Sequence, residues 1–157
     1  MDYFHLTQYF DYVAGAGMYE RNGSKAAVIE HAFEECNITD KSQVLMVGDR
    51  KYDVNGAKKM GVPVVLRLSD YFLLCPRFDF MYNKKPCEEC LTKGYRTCIK
   101  KRCVKGSLFA SVVRVFSMKV HKAMNVYKGV DAFITPSEFL KKKLIENGFD
   151  ENKITCI

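Results

Sequence analysis

The residues of this 157-residue chain best suited to chemistry lie in GDRKYD, 48–53, where two carboxylates, Asp49 and Asp53, stand four positions apart. Four positions is one helical turn, so at a strand-to-helix junction both acids face the crevice in which open α/β sheets bind their ligands. Oxygen donors of this kind suit Mg²⁺, which takes one or two protein carboxylates and leaves its other positions to water and substrate phosphate. Upstream, Lys25 falls in the first turn of an expected helix, where its ammonium can balance a phosphoryl group in the same crevice. By type and spacing alone the simpler reading is that Lys25 is a surface lysine and Asp53 an acid placed to suit the helix dipole.

A second constellation is made of sulfur. Cys87-x2-Cys90-x7-Cys98-x4-Cys103 offers four thiolates, enough to close a tetrahedral structural Zn²⁺ site and so order a loop with little core. Cys75 is a fifth candidate, and the same spacing also admits reduced, partly buried cysteines. Cys36 and Cys156 fall in an expected helix and strand and read as packing residues. His5, His31 and His121 are isolated, with no Ser or Cys partner at motif spacing, so no hydrolytic triad is indicated.

Positioning these residues takes strands and helices, and the hydrophobic pattern supplies both. Phe10 to Val13 is a short β-prone run entering the loop AGAGMYERNG, after which Ser24 caps a helix reaching about Cys36. VLMV, 44–47, is an uninterrupted apolar run, which predicts a strand buried on both faces of a parallel sheet. A helix from about Tyr52 to Met60 turns Val54, Ala57 and Met60 inward, stops at Gly61 and leads through Pro63 into a strand from Val64 to Leu68. From Asp70 to Gly106 there is no clear period, and the stretch reads as an irregular insertion. Ser107 then opens a long helix to about Lys128, with Leu108, Val112, Phe116, Val120 and Met124 as its expected core stripe. Ala132 to Ile134 is a strand, and Thr135-Pro136-Ser137-Glu138 reads as a capping box with Pro at the first helical position. That helix is expected to end at Asn147-Gly148, and Lys153 to Ile157 begins one more strand. The apolar pattern still running at Ile157 gives the expectation that the domain is cut there. The fold class is therefore α/β, with Rossmann-like parallel sheet units (βαβαβ), an irregular Cys-rich insertion over 75–106 and a C-terminal αβαβ unit.

Charge divides the chain further. The net charge is +7, yet residues 84–143 alone hold fifteen Lys/Arg against four Asp/Glu, so the remainder is net negative. Such asymmetry suggests two segments of different origin and makes the basic one a candidate for peripheral contact with an anionic membrane, a solvated basic face being the plainer alternative. Nucleic acid is disfavoured, because the aromatics form no stacking platform. No run of about 18 apolar residues exists, and MDYFHLTQYF lacks the basic and apolar regions of a signal peptide. The expected location is cytoplasmic.

Two resemblances cover the chain in sequence. YFDYVAGAGMYERNGSKAAVIEHAFEECNITDKSQVLMVGDRKYDVNGAKKMGVPV, and MVGDRKYDVNGAKKMG above all, resembles the haloacid-dehalogenase-like (HAD) phosphatases, especially the phosphoglycolate-phosphatase branch, over residues 4 to about 65. The resemblance implies that Lys25 steadies nucleophile and phosphate, that Asp49 and Asp53 hold or orient Mg²⁺, and that the substrate is a phosphorylated small molecule. It also implies a strand bearing D-x-D, whose first Asp attacks phosphorus, and a Ser/Thr phosphate-binding strand. No D-x-D occurs in these 157 residues, so this chain alone is expected not to turn over phosphate esters covalently. PVVLRLSDYFLLCPRFDF, KPCEEC, CIKKRCVKGS and VDAFITPSEFLKKKLIENGFDENKIT together resemble the N-terminal, acceptor-side domain of family 4 GT-B glycosyltransferases, over about 63 to 157. That likeness implies a sugar acceptor as partner and a separate donor-binding domain. Ser69 stands where the family commonly has His, and Ser137 and Glu138 match its PSEF turn while also explaining themselves as caps. The expected organisation is residues 1–65 as a HAD-like C-terminal segment and 66–157 as a glycosyltransferase-like one, joined as a fusion.

Overall fold

Ser24 accepts the Ala27 N–H at 3.3 Å, and helix α1 follows over Lys25–Glu35, as a serine N-cap dictates. The computed structural model describes residues 2–14 and 24–157, so most of the AGAGMYERNG loop, 15–23, lies outside the described residues. The chain divides into two compact units, Met1–Val65 and Leu66–Ile157.

In the first unit α1 is followed by strand β1 (Met46–Gly48), helix α2 (Lys51–Met60) and strand β2 (Val64–Arg67), whose last residues pass into the second unit. Gly61 ends α2 in the left-handed conformation at φ 69°, its N–H bonded to Ala57 and Lys58, a helix stop that glycine makes without Cβ strain. Val54, Ala57, Val62 and Val64 are buried around it. Two sequence expectations change here. The Phe10–Val13 run is not a strand: it follows a 3-10 turn, Thr7–Tyr9, in irregular backbone, with Phe10 and Val13 exposed. The VLMV segment is not buried on both faces either, since Leu45 is 56% and Val47 55% exposed. The physical reason is position: β1 is hydrogen-bonded to β2, and among the described residues no strand lies on its other side, which leaves β1 at an edge.

The second unit continues from Leu68, whose N–H bonds to Ile134 of strand β5 (Ala132–Thr135). Helix α6 (Glu138–Glu146) leads on to strand β6 (Ile154–Cys156), parallel to β5 with Phe133 opposite Ile154. Ser137 is the N-cap of α6, accepting from Leu140 N–H at 3.3 Å. Pro136 therefore precedes the cap and is not the first helical residue. With strands alternating with helices and parallel pairing, the expected α/β class is what forms. Leu66, Leu68, Val130 and Leu144 are fully buried, each such side chain stabilising by about 1.5–3 kcal/mol.

The insertion is more regular than its sequence suggests. Strands β3 (Met81–Tyr82) and β4 (Lys85–Pro86) pair as a hairpin, followed by the short helices α3 (Glu89–Lys93) and α4 (Arg96–Lys101). Asn83 and Lys84 carry the turn at φ 49° and 60°, the positive values that a two-residue hairpin turn requires at both positions. Helix α5 spans Leu108–Ala123, shorter than expected, and buries a different face from the predicted stripe. Ser111, Val115 and Met118 point inward, while Leu108, Val112, Phe116 and Met124 are exposed. A helix that is apolar on several faces does not reveal its packed side through periodicity.

Candidate functional site

The first unit brings Lys25 and Asp53 together, although they are separated by a helix, a turn and a strand. Lys25 Nζ lies 3.1 Å from Asp53 Oδ1, and the other carboxylate oxygen accepts the Arg50 N–H at 3.1 Å. Asp53 is thus held at the third position of α2, where the helix dipole also favours its charge. Its side chain is only 10% exposed, against 41% for Lys25, so the acid is the fixed member and the lysine the one that reaches solvent.

Two glycines make this pair sterically possible. A Cβ on Gly48 would lie 2.3 Å from the Asp53 Cβ, and one on Gly56 would lie 2.8 Å from the Lys25 Cγ. Strand β1 therefore ends directly against the acid, and the lysine stem lies across α2 where that helix has no side chain. Neither glycine was singled out from sequence. The available signal was Gly56 itself, because glycine inside a helix costs about 1 kcal/mol relative to alanine and is kept where another chain segment approaches closely.

Asp49 is engaged differently. Its carboxylate is 60% exposed, and its ion partner is Arg50 Nε at 3.8 Å, a surface pair of small energetic weight. Asp53 already has both oxygens occupied, while Asp49 presents oxygen to solvent. By donor chemistry Asp49 suits direct coordination of Mg²⁺ and Asp53 suits orientation of the lysine. No group of three or more His, Cys, Asp or Glu side chains among the described residues is already arranged to hold a metal. A groove of about 830 Å³ runs beside the pair, lined by Ser24, Lys25, Tyr52, Gly56, Lys58 and Lys59 among others. Its lysines give it a positive character.

Residues 1–67 match the haloacid dehalogenase-like hydrolase family. Lys25, Asp49 and Asp53 all lie within this hydrolase-like segment. A protein named tyrosine-protein kinase PtkA is similar to the chain in both Mycobacterium tuberculosis (strain H37Rv) and Mycobacterium bovis, at 36% identity over 64 residues, 41% of this chain and 22% of each relative. The chain thus spans about a fifth of the length of these curated relatives. No solved structure matches it.

In the second unit the cysteines of the insertion lie close in sequence, and Cys103 N–H bonds to Cys98 O at 3.1 Å. The Cys98 thiol is fully buried and hydrogen-bonded to both Cys90 and Cys103. The Cys98 hydrogen bond pulls the Cys90 thiol down to about 7, while the same bond and burial push Cys98 well above the usual thiol range. Burial raises Cys75 and Cys103. All seven cysteines are free thiols. Of the histidines, His5 and His31 are exposed, the latter with its ring edge-on to Tyr12 at 6.1 Å. No helix among the described residues is long and apolar enough to cross a membrane.

Proposed function

We propose that residues 1–65 form the phosphate-binding pole of a HAD-type, Mg²⁺-dependent phosphoryl-transfer site. The observation that carries this reading is the Lys25–Asp53 contact at 3.1 Å. A buried carboxylate fixes an ammonium whose free side opens to a groove, which is how a phosphoryl group is met by one positioned cation. In this reading Asp49 supplies the carboxylate for Mg²⁺, and Lys59 adds to the field that draws an anionic substrate in. The similarity to proteins named tyrosine kinases fits phosphoryl chemistry in general, and the substrate is a phosphorylated molecule.

The nucleophile must then come from another segment, because no D-x-D occurs in the sequence. Strand β1 offers it a place. β1 is hydrogen-bonded to β2 on one side and, among the described residues, to no strand on the other, an edge that can take another strand. Alone, the chain binds phosphate and Mg²⁺ without hydrolysing esters. Titration of inorganic phosphate with Mg²⁺ into the full chain tests this: binding weakened roughly tenfold by Lys25→Met supports it, and binding indifferent to that change contradicts it.

For residues 66–157 a second reading is an acceptor-side glycosyltransferase segment, joined to the first by fusion. Its support is the sequence resemblance together with the parallel β5-α6-β6 unit in which Ser137 caps α6. Salt-sensitive binding to vesicles rich in anionic lipid is the expected behaviour of its basic surface. Part of that charge is already neutralised internally, Lys143 pairing with Glu88 at 2.6 Å and Lys101 with Glu89 at 2.6 Å.

A further inference from the structure

The insertion of the second unit has a structural difficulty that its cysteines resolve. It is built of a two-residue-strand hairpin and two helices of five and six residues, elements too short to persist without tertiary support. Beyond the hairpin turn, Phe78, Phe80, Arg102 and Lys105 all sit at positive φ, each a conformation that side chains adopt at a cost and keep only where the surroundings impose it. Its buried apolar residues are few, chiefly Leu74, Cys75, Phe80 and Cys98. The backbone instead steers sulfur to one place. Cys87 leaves the hairpin with its N–H on Phe80 O at 2.7 Å, and one turn later Cys90 enters α3. The left-handed Arg102 folds the chain back after α4, so that Cys103 N–H bonds to Cys98 O at 3.1 Å. Ser111 then pins the exit, accepting the Val104 N–H at 3.1 Å while donating to Ser107 O at 2.8 Å.

We propose that Cys87, Cys90, Cys98 and Cys103 form a structural four-thiolate zinc site that holds the insertion together. Lys101, between Cys98 and Cys103, meets Glu89, between Cys87 and Cys90, at 2.6 Å, which brings the two cysteine pairs to one side of the insertion, and two ligands on one zinc stand roughly 3.8 Å apart for Zn–S bonds of about 2.3 Å. Among the described residues no group of three or more His, Cys, Asp or Glu side chains is arranged to hold a metal, so binding requires the four sulfurs to turn onto the ion. Four thiols lose four protons, their sulfurs turn from each other onto one Zn²⁺, and no electrons are exchanged. The resulting centre carries two negative charges, and Lys101, two residues before Cys103 and paired with Glu89 at 2.6 Å, stands beside them. Cys75 is left out of the set because it lies before the β3-β4 hairpin, twelve residues ahead of Cys87 and outside the spacing of the other four. Nothing in this inference depends on the phosphate pole.

The test is metal content of the full chain purified from zinc-supplemented cells, with Co²⁺ substitution to report the ligands. One zinc per chain is expected, with a tetrahedral thiolate spectrum on replacement by Co²⁺. Cys90→Ser and Cys98→Ser should weaken binding at least about tenfold, and Cys75→Ser should leave it within about twofold. Should the serine variants fail to fold, chelation of the unaltered chain still decides, since amide exchange over 75–106 must then rise sharply. A folded chain without zinc, a Cys90–Cys98 disulfide in its place, or zinc lost in Cys75→Ser but kept in Cys98→Ser would overturn the site as assigned.

Discussion

The two units gather reactive side chains in opposite ways. In the first, Lys25 and Asp53 come from distant points and meet because regular elements pack closely at Gly48 and Gly56. In the second, turns of unusual backbone draw cysteines near in sequence towards each other, as where left-handed Arg102 lets Cys103 N–H bond to Cys98 O at 3.1 Å. The first arrangement is rigid before any ligand arrives, with the buried acid orienting an ammonium that reaches solvent. The second is short of core, with Cys75 and Cys98 among its few buried apolar residues. A preorganised pair fits transient binding of substrate, whereas an under-supported cluster fits a permanent ligand that contributes folding energy.

Three changes break or sharpen this contrast. Gly48→Ala should have the largest effect: its Cβ would overlap Asp53, so β1 and α2 must separate. A loss of about 2–3 kcal/mol in urea unfolding is expected, with amide exchange of α2 rising and that of α5 unchanged. Ser111→Ala comes next, since it leaves the part-buried Val104 N–H without its partner, the fully buried Ser111 hydroxyl. A cost of about 1–2 kcal/mol is expected, appearing in the insertion and α5 and sparing α2. The smallest effect belongs to Lys25→Met combined with Asp53→Asn in a double-mutant cycle. Because Lys25 is partly exposed, a coupling of about 1 kcal/mol or less is expected. A coupling well above 1 kcal/mol would mean the pair is more shielded from solvent than the exposure of Lys25 allows.

Legibility in the sequence followed the same division. Ser24 and Gly61 announced helix ends because capping is a local matter, whereas the cap of α6 fell at Ser137, two residues later than the expected box, and the α/β class followed from alternating apolar runs. Asp49 and Asp53 stood out by spacing, but Lys25 gained meaning only from the resemblance, since its contact with Asp53 is tertiary. What failed depended on neighbours. Leu45 and Val47 carry a core-like pattern on an edge strand, and α5 has apolar residues on faces that packing, not period, distinguishes. The β3-β4 hairpin was missed because its turn, Asn83-Lys84, lacks the glycine that usually marks one, although asparagine at positive φ was a usable hint.

The central claim is that Lys25 and Asp49 are the working half of a phosphoryl-transfer site. Its most direct test joins the chain, in cis or as a co-expressed partner, to a HAD-type N-terminal segment bearing D-x-D and measures Mg²⁺-dependent hydrolysis of p-nitrophenyl phosphate. Activity in the joined protein, absent from either part alone and lost in Lys25→Met and Asp49→Asn, is the predicted result. A folded, joined protein that stays inactive, or one whose activity ignores both substitutions, would contradict it.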